Sequence, residues 1–200
     1  MTLIKICGIT RLEDALLATR LGVHALGFVL WAGSPRAVGL SAVKAMLGRL
    51  PPLVTPVGVF VDPSEAEILE ARAAGIHVAQ VHGRAPALPP GMPLIQATHL
   101  SAGEGDVSPD APCAAALLLD AHDPVLQGGT GRTIDWARAR TVAARRPVIL
   151  AGGLTPGNVG AAIAAVGPLG VDVSSGVEQS PGAKNPDKLA AFVAAVRAQA

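Results

Sequence analysis

Charge is scarce in this chain of 200 residues: 16% of its side chains are Asp, Glu, Lys or Arg, and the formal net charge is +1. That balance removes any electrostatic reason to expect nucleic acid or an anionic membrane as partner, so an anion must be held by local geometry. Apolar runs are short as well. None approaches the roughly 20 residues of a membrane span, and Lys5 breaks the N-terminal run before it could form a signal-peptide core, which leads to the expectation of a soluble cytoplasmic protein. Only two cysteines occur, Cys7 and Cys113, with neither CxxC nor Cys/His ligand spacing, which argues against a disulfide framework or a structural zinc site. Tyrosine is missing altogether, a trait of composition rather than of mechanism. Two nucleotide signatures are also missing: there is no GxxxxGK(S/T), and the first apolar run is followed by GIT rather than GxGxxG.

What is present is a repeated alternation. Eight short β-branched runs stand near residues 3–8, 25–30, 54–60, 77–83, 93–100, 113–120, 147–153 and 170–176. Alanine-rich stretches of helical length follow the first, second, third, sixth, seventh and eighth runs. The fourth and fifth connections, RAPALPPG and SAGEGDVSPDAP, are too rich in Pro and Gly for good helices and read as short turns. Strict alternation makes the strands parallel, and eight such units indicate one closed (β/α)8 TIM barrel over residues 1–200, an architecture for which about 200 residues is the lower limit. In such a barrel the chemistry sits where strands end at the C-terminal face.

Side chains alternate along a strand, so Lys5 and Cys7 share one face and Ile4 and Ile6 the other. If the isoleucines meet the helices, Lys5 and Cys7 point into the barrel with Cys7 topmost. The same alternation turns Asp172 and Ser174 inward on the eighth strand, beside the first once the sheet closes, and Lys5 is expected to pair with Asp172. Such a pair reads first as a structural one, because buried charges seldom survive alone. Cys7 itself is open to two readings: a small core residue, as free cysteines commonly are, or a reactive thiol at a strand end. Cys113 opens the sixth strand at the opposite face and reads as structural.

The sixth run ends in Asp120, turned inward with Leu118, either presented to the site or capping a turn. It is followed by AHDPVLQGGTGRTI, a stretch without structure of its own and long enough to be functional, whose GGTG, with Gly129, can fold over a ligand. AGGLTPGN after the seventh run and SSGVEQSPG after the eighth suit an anion, because glycines let backbone N–H groups approach it closely. Gly152, Gly153, Ser174, Ser175 and Gly176 are the candidate phosphate ligands, while Thr155 and Pro156 have the form of a helix start. Arg36, in WAGSPRAV, could grip a carboxylate at two points or simply be solvated. His82, inward with Gln80, could line the site or be a structural histidine.

Taken in order from residue 4 to residue 184, KICGIT, SPR, QVHG, LLLD with GGTG and DW, AGGL, and VDVSSGVE with PG and Lys184 resemble the phosphoribosylanthranilate isomerase family of tryptophan biosynthesis. The resemblance implies an Amadori rearrangement of N-(5-phosphoribosyl)anthranilate without metal or organic cofactor. By the same resemblance Cys7 is the general base, Asp120 the general acid, Arg36 the holder of the anthranilate carboxylate, and the two glycine-rich ends the phosphate site. A free thiol titrates near about 8.5 and a free Asp near about 3.9, so both groups must be tuned for those roles. Two departures stand out: Asn185 follows the lysine where an acidic residue is commoner, and Ile134 precedes DW where an aromatic is commoner. The alternatives are a non-catalytic sugar-phosphate binding barrel and the related aminoaldose isomerase of histidine biosynthesis, which carries Asp at the end of its first strand and repeats its half-barrel. A metal-dependent epimerase fits poorly, with His82 alone at a strand end. The partner implied is a small phosphorylated molecule; the assembly is a monomer or a homodimer.

Overall fold

The computed structural model describes residues 1–99, 113–120 and 135–199. Eight parallel strands close into a barrel in chain order: β1 (Leu3–Ile6), β2 (Ala25–Val29), β3 (Thr55–Val61), β4 (Val78–His82), β5 (Leu94–His99), β6 (Ala116–Asp120), β7 (Val148–Leu150) and β8 (Gly170–Val173), which pairs back onto β1. Helices stand after six of them. α1 (Leu12–Arg20), α2 (Leu40–Leu47) and α3 (Glu65–Ala73) follow β1 to β3, and α4 (Trp136–Ala143), α5 (Val159–Val166) and α6 (Pro186–Arg197) follow β6 to β8. This is the expected TIM barrel, with helices after the runs expected to carry them. The β4–β5 connection holds only turns, because Pro86, Pro89 and Pro90 remove backbone donors from it. The fifth connection lies outside the described residues. None of the described helices is long and apolar enough to cross a membrane.

Local chemistry starts and stops these helices. Ser64 and Glu67 form a reciprocal capping box ahead of α3, and Asp135 accepts from the N–H groups of Ala137 and Arg138 to open α4. Asn185 does the same for α6 by accepting from Lys188 N, so asparagine there fills a cap that an acidic residue would also fill. The start of α5 differs from expectation. The helix begins at Val159 rather than at Thr155 and Pro156, because the Asn158 side chain is spent on the preceding loop, accepting from Thr155 N and donating to the Gly153 carbonyl.

Two apolar layers hold the barrel. Outside it, Ile4 and Ile6 pack with Ala15, Ala18, Phe192 and Val196 between sheet and helices. Inside it, Val57, Ile95, Ala97, Leu118 and Ala151 form a smaller cluster. Full burial of each large side chain contributes about 1.5–3 kcal/mol. Lys5, Gln80 and Asp172 bring polar groups into this interior. Lys5 Nζ donates to Asp172 Oδ2 at 2.8 Å, and the two residues are register partners across the β1–β8 seam. Cys113 departs from its reading as a structural residue: β6 begins three residues later, at Ala116, and Cys113 is exposed in the turn ahead of it.

Beyond β8 the chain forms a short 3-10 turn (Ser175–Val177) and an antiparallel hairpin of β9 (Glu178–Ser180) and β10 (Ala183–Lys184). Pro181 and Gly182 make its turn, with Gly182 at φ 80°.

Replacing Lys5 by Met leaves the Asp172 carboxylate buried and unpaired, so Lys5→Met is expected to lose about 3–5 kcal/mol of stability. Urea unfolding measures it; a loss below about 1 kcal/mol would mean that the pair does not close the barrel.

Candidate active site

The C-terminal strand ends surround a cleft of about 140 Å³. Cys7 enters it just past β1, Arg36 from the loop after β2, and Gln80 and His82 from β4. Asp120 stands at the end of β6, Gly152 and Gly153 follow β7, and Asp172 with Ser174, Ser175 and Gly176 completes the wall. Of the ten residues singled out from sequence, nine therefore line one cavity; the tenth, Gly129, and the rest of the loop 121–134 lie outside the described residues.

Cys7 is fixed by its backbone. Its N–H donates to the Val173 carbonyl at 2.9 Å, continuing the β1–β8 ladder one residue beyond the strand. Burial pushes its thiol above the ordinary range; the Lys5 ammonium opposes that rise without cancelling it, Asp172 adds to it, and Lys184 opposes it more weakly. Burial works against the Lys5 charge, but Asp172 and Cys7 outweigh it and hold the ammonium above its usual value. His82 and Gln80 face each other with their Nε2 atoms 3.0 Å apart.

The glycine-rich ends meet each other. Gly152 and Gly153 both take left-handed backbone, φ 76° and 64°, which side chains rarely adopt. A Cβ on Gly176 would overlap the Leu154 carbonyl oxygen, so the loops after β7 and β8 touch only because that residue is glycine. Together they make one floor of backbone suited to an anion.

Two residues of the site were assigned no role from sequence: Glu178 and Lys184. Arg36 donates from Nε to both Glu178 oxygens, at 2.9 and 3.2 Å, and from Nη2 to Oε2 at 2.7 Å. The two-point grip expected of Arg36 is thus spent on a carboxylate of the protein itself, and Nη1 is the guanidinium nitrogen that Glu178 does not engage. The ammonium of Lys184, fully buried, donates to Glu178 Oε1 at 2.9 Å, to the Cys7 carbonyl, and to the Ser174 carbonyl at 3.3 Å. Burial alone would raise the Glu178 carboxyl; Arg36 and then Lys184 pull it below its ordinary value. The signal for this cluster was the turn dipeptide Pro181-Gly182 with a charge on either flank, because a hairpin folded there sets Glu178 across from Lys184.

Glu178→Gln leaves Arg36 and Lys184 without their counter-charge and is expected to cost about 3 kcal/mol. The pH dependence has a definite sign. A carboxyl whose folded value is depressed contributes stability that is present above its unfolded value and lost as pH falls through the folded one. Urea midpoints of the native chain should therefore drop on acidification below 4.5, the ordinary value for Glu, more steeply than those of Glu178→Gln; parallel acid limbs would show that Glu178 is not ion-paired in solution.

Comparison with known proteins agrees with this geometry. Residues 4–195 match the family model described as N-(5′-phosphoribosyl)anthranilate (PRA) isomerase. The N-(5′-phosphoribosyl)anthranilate isomerase of Pseudomonas fluorescens Pf-5 is 46% identical over 200 residues, covering 96% of this chain and 94% of its own. The crystal structure of phosphoribosyl anthranilate isomerase from Thermus thermophilus superposes with a TM-score of 0.86 at 43% identity and full coverage of both chains. A further phosphoribosyl anthranilate isomerase structure, in complex with reduced 1-(o-carboxyphenylamino)-1-deoxyribulose 5-phosphate, gives a TM-score of 0.83 at 34% identity, covering 99% of this chain and all of the other. With its barrel, its strand-end cleft and these matches along nearly its whole length, the chain belongs to the N-(5′-phosphoribosyl)anthranilate isomerase family.

Proposed function

We propose that the cleft converts N-(5-phosphoribosyl)anthranilate into 1-(2-carboxyphenylamino)-1-deoxyribulose 5-phosphate, with Asp120 as general acid and Cys7 as general base. The observation that carries this reading is the convergence of a thiol, a carboxyl and a glycine-built anion floor on a single cavity. A relative that holds the reduced product analogue supports the same class of ligand. The phosphate sits on the backbone of Gly152, Gly153 and Ser174 to Gly176, and the anthranilate carboxylate meets Arg36 on the edge that Glu178 leaves open. His82 lines the wall between them. The reaction is that of a metabolic enzyme acting in the cytoplasm.

Each group then has a defined proton to move. Protonated Asp120 gives its proton to the ribose ring oxygen; the C1–O bond breaks and the anilino nitrogen's electron pair forms the C1=N bond of a Schiff base. The Cys7 thiolate removes the proton on C2, the C1=C2 bond forms, and the resulting enolamine becomes the ketone. Each positioned proton transfer is worth about 10²- to 10⁴-fold in rate. Holding the phosphate and the carboxylate at opposite ends of the ligand fixes C1 and C2 between acid and base.

Following the decay of anthranilate fluorescence with freshly made substrate tests the assignment. Cys7→Ser and Asp120→Asn should each fold, bind the reduced product analogue and lose about 10²-fold or more in kcat/KM. Variants that retain activity would return Cys7 to the core-residue reading; native protein that binds the analogue without turnover would make the barrel a binding protein. Because burial holds the Cys7 thiol above its ordinary range, the thiolate fraction is small at neutral pH and kcat/KM should climb as pH rises beyond neutrality. A rate that falls over that interval would rule out a thiolate base.

A further inference from the structure

Asp172 lies two residues before Ser174 on the wall of the same cleft, and only one of its carboxylate oxygens is used. Oδ2 accepts from Lys5 Nζ at 2.8 Å. Oδ1 is buried and has no hydrogen-bond partner, in a residue only 7% exposed. A buried carboxylate oxygen left without a donor is costly, and functional sites are where such costs are kept. The strand that carries Asp172 is hydrogen-bonded to the strand that carries Cys7, with Cys7 N donating to the Val173 carbonyl next to Asp172. Asp172 and Cys7 therefore line the cleft from paired strands at the β1–β8 seam, two register positions apart, close enough for the Asp172 charge to act on the thiol.

The chemistry of the rearrangement calls for an acceptor in that place. The carbon from which the base removes a proton, C2, also bears a hydroxyl, and that hydroxyl must lose its proton for the ketone to form. We propose that Oδ1 of Asp172 receives the hydrogen bond of the C2 hydroxyl and takes its proton as the enolamine becomes the ketone; this deepens the functional reading above and rests on it. The balance closes. In the Schiff base the thiolate takes the C2 proton, the C2–H pair becomes the C1=C2 bond, and the C1=N pair returns to nitrogen. The thiol then hands a proton to C1, where the C1=C2 pair becomes the C1–H bond; the O2–H pair becomes the second C2–O bond, and the O2 proton passes to Asp172, which releases it to water. Lys5 has a positioning part: by holding Oδ2 it fixes the carboxylate and leaves Oδ1 as the oxygen available to a ligand.

Gln80 is the rival acceptor, since its Oε1 is also buried without a partner on this cleft. It stands on β4, three strands from β1, and its amide is tied to His82. An acceptor for the C2 hydroxyl has to lie near the base that takes the hydrogen from the same carbon, and Asp172, on the strand paired with the one that carries Cys7, meets that condition better than Gln80.

The test uses the reduced product analogue, which keeps an sp³ C2 hydroxyl, and the same compound lacking that hydroxyl. The native chain should bind the hydroxyl form more tightly by about 10-fold or more, as a hydrogen bond to a charged group implies. In Asp172→Asn the ratio should fall to about 3-fold or less, because Lys5 is a pure donor and turns the amide oxygen toward itself, leaving NH₂ facing the ligand. If that variant does not fold, Lys5→Met/Asp172→Leu removes both charges together, a change buried pairs tolerate far better than loss of one partner. A merely structural role would lower both affinities equally and leave the ratio intact. An unchanged ratio in the variants, no preference in the native chain, or collapse of the ratio in Gln80→Met alone would each overturn the proposal. Failure of the native chain to bind either compound would overturn it together with the reading of the cleft, and so is distinguishable from a failure of Asp172 alone.

Discussion

The barrel closes at a single seam, and both the fold and the cleft hang on it. Lys5 and Asp172 are 167 positions apart in sequence, yet they are register partners with their charges 2.8 Å apart inside the sheet. Drawing two charges out of water is expensive, and once they are buried together the loss of either partner costs more than the loss of both. Lys184 bolts the same seam from above, taking the carbonyls of Cys7 and Ser174, the first residues past β1 and β8. Were the seam to open, the thiol would part from the wall that carries Asp172 and Ser174. Stability and site geometry are thus properties of one interface.

From that seam a chain of charges runs outward. Glu178 joins Lys184 to Arg36, and the backbone N–H of Lys184 donates to Asp14, which Arg11 grips at two points. The first turn of α1, the hairpin β9–β10 and the loop after β2 are linked through these contacts. The consequence for chemistry is preorganisation: Arg36 is held in place before any ligand arrives, so little ordering remains to be done when a carboxylate docks.

Much of this could be read from the chain itself. Period-two alternation in LIKIC sorts Ile4 and Ile6 to the helices and Lys5 and Cys7 to the interior, and the same rule brings Asp172 to Lys5. Strand-end placement then collects Cys7, Asp120 and the glycines without any further information. What escaped the reading depends on contacts between distant segments. Arg36 looks like a free guanidinium until Glu178, 142 positions away, is folded against it. The start of α5 moves because Asn158 is recruited to shape the Gly153 loop, and Cys113 is exposed because β6 begins only at Ala116. Local pattern specifies an element and its inward face; it does not specify which polar partner the rest of the barrel will deliver.

The most direct measurement is a crystal structure of the chain with the reduced product analogue. The expected result has the phosphate on the backbone of Gly152, Gly153 and Ser174 to Gly176, the anthranilate carboxylate on Arg36, and C2 of the ligand within about 3.5 Å of Cys7 Sγ, as a near-attack geometry requires. A ligand bound with its phosphate elsewhere, or with C2 turned away from Cys7, would contradict the assignment of this cleft as the seat of the rearrangement.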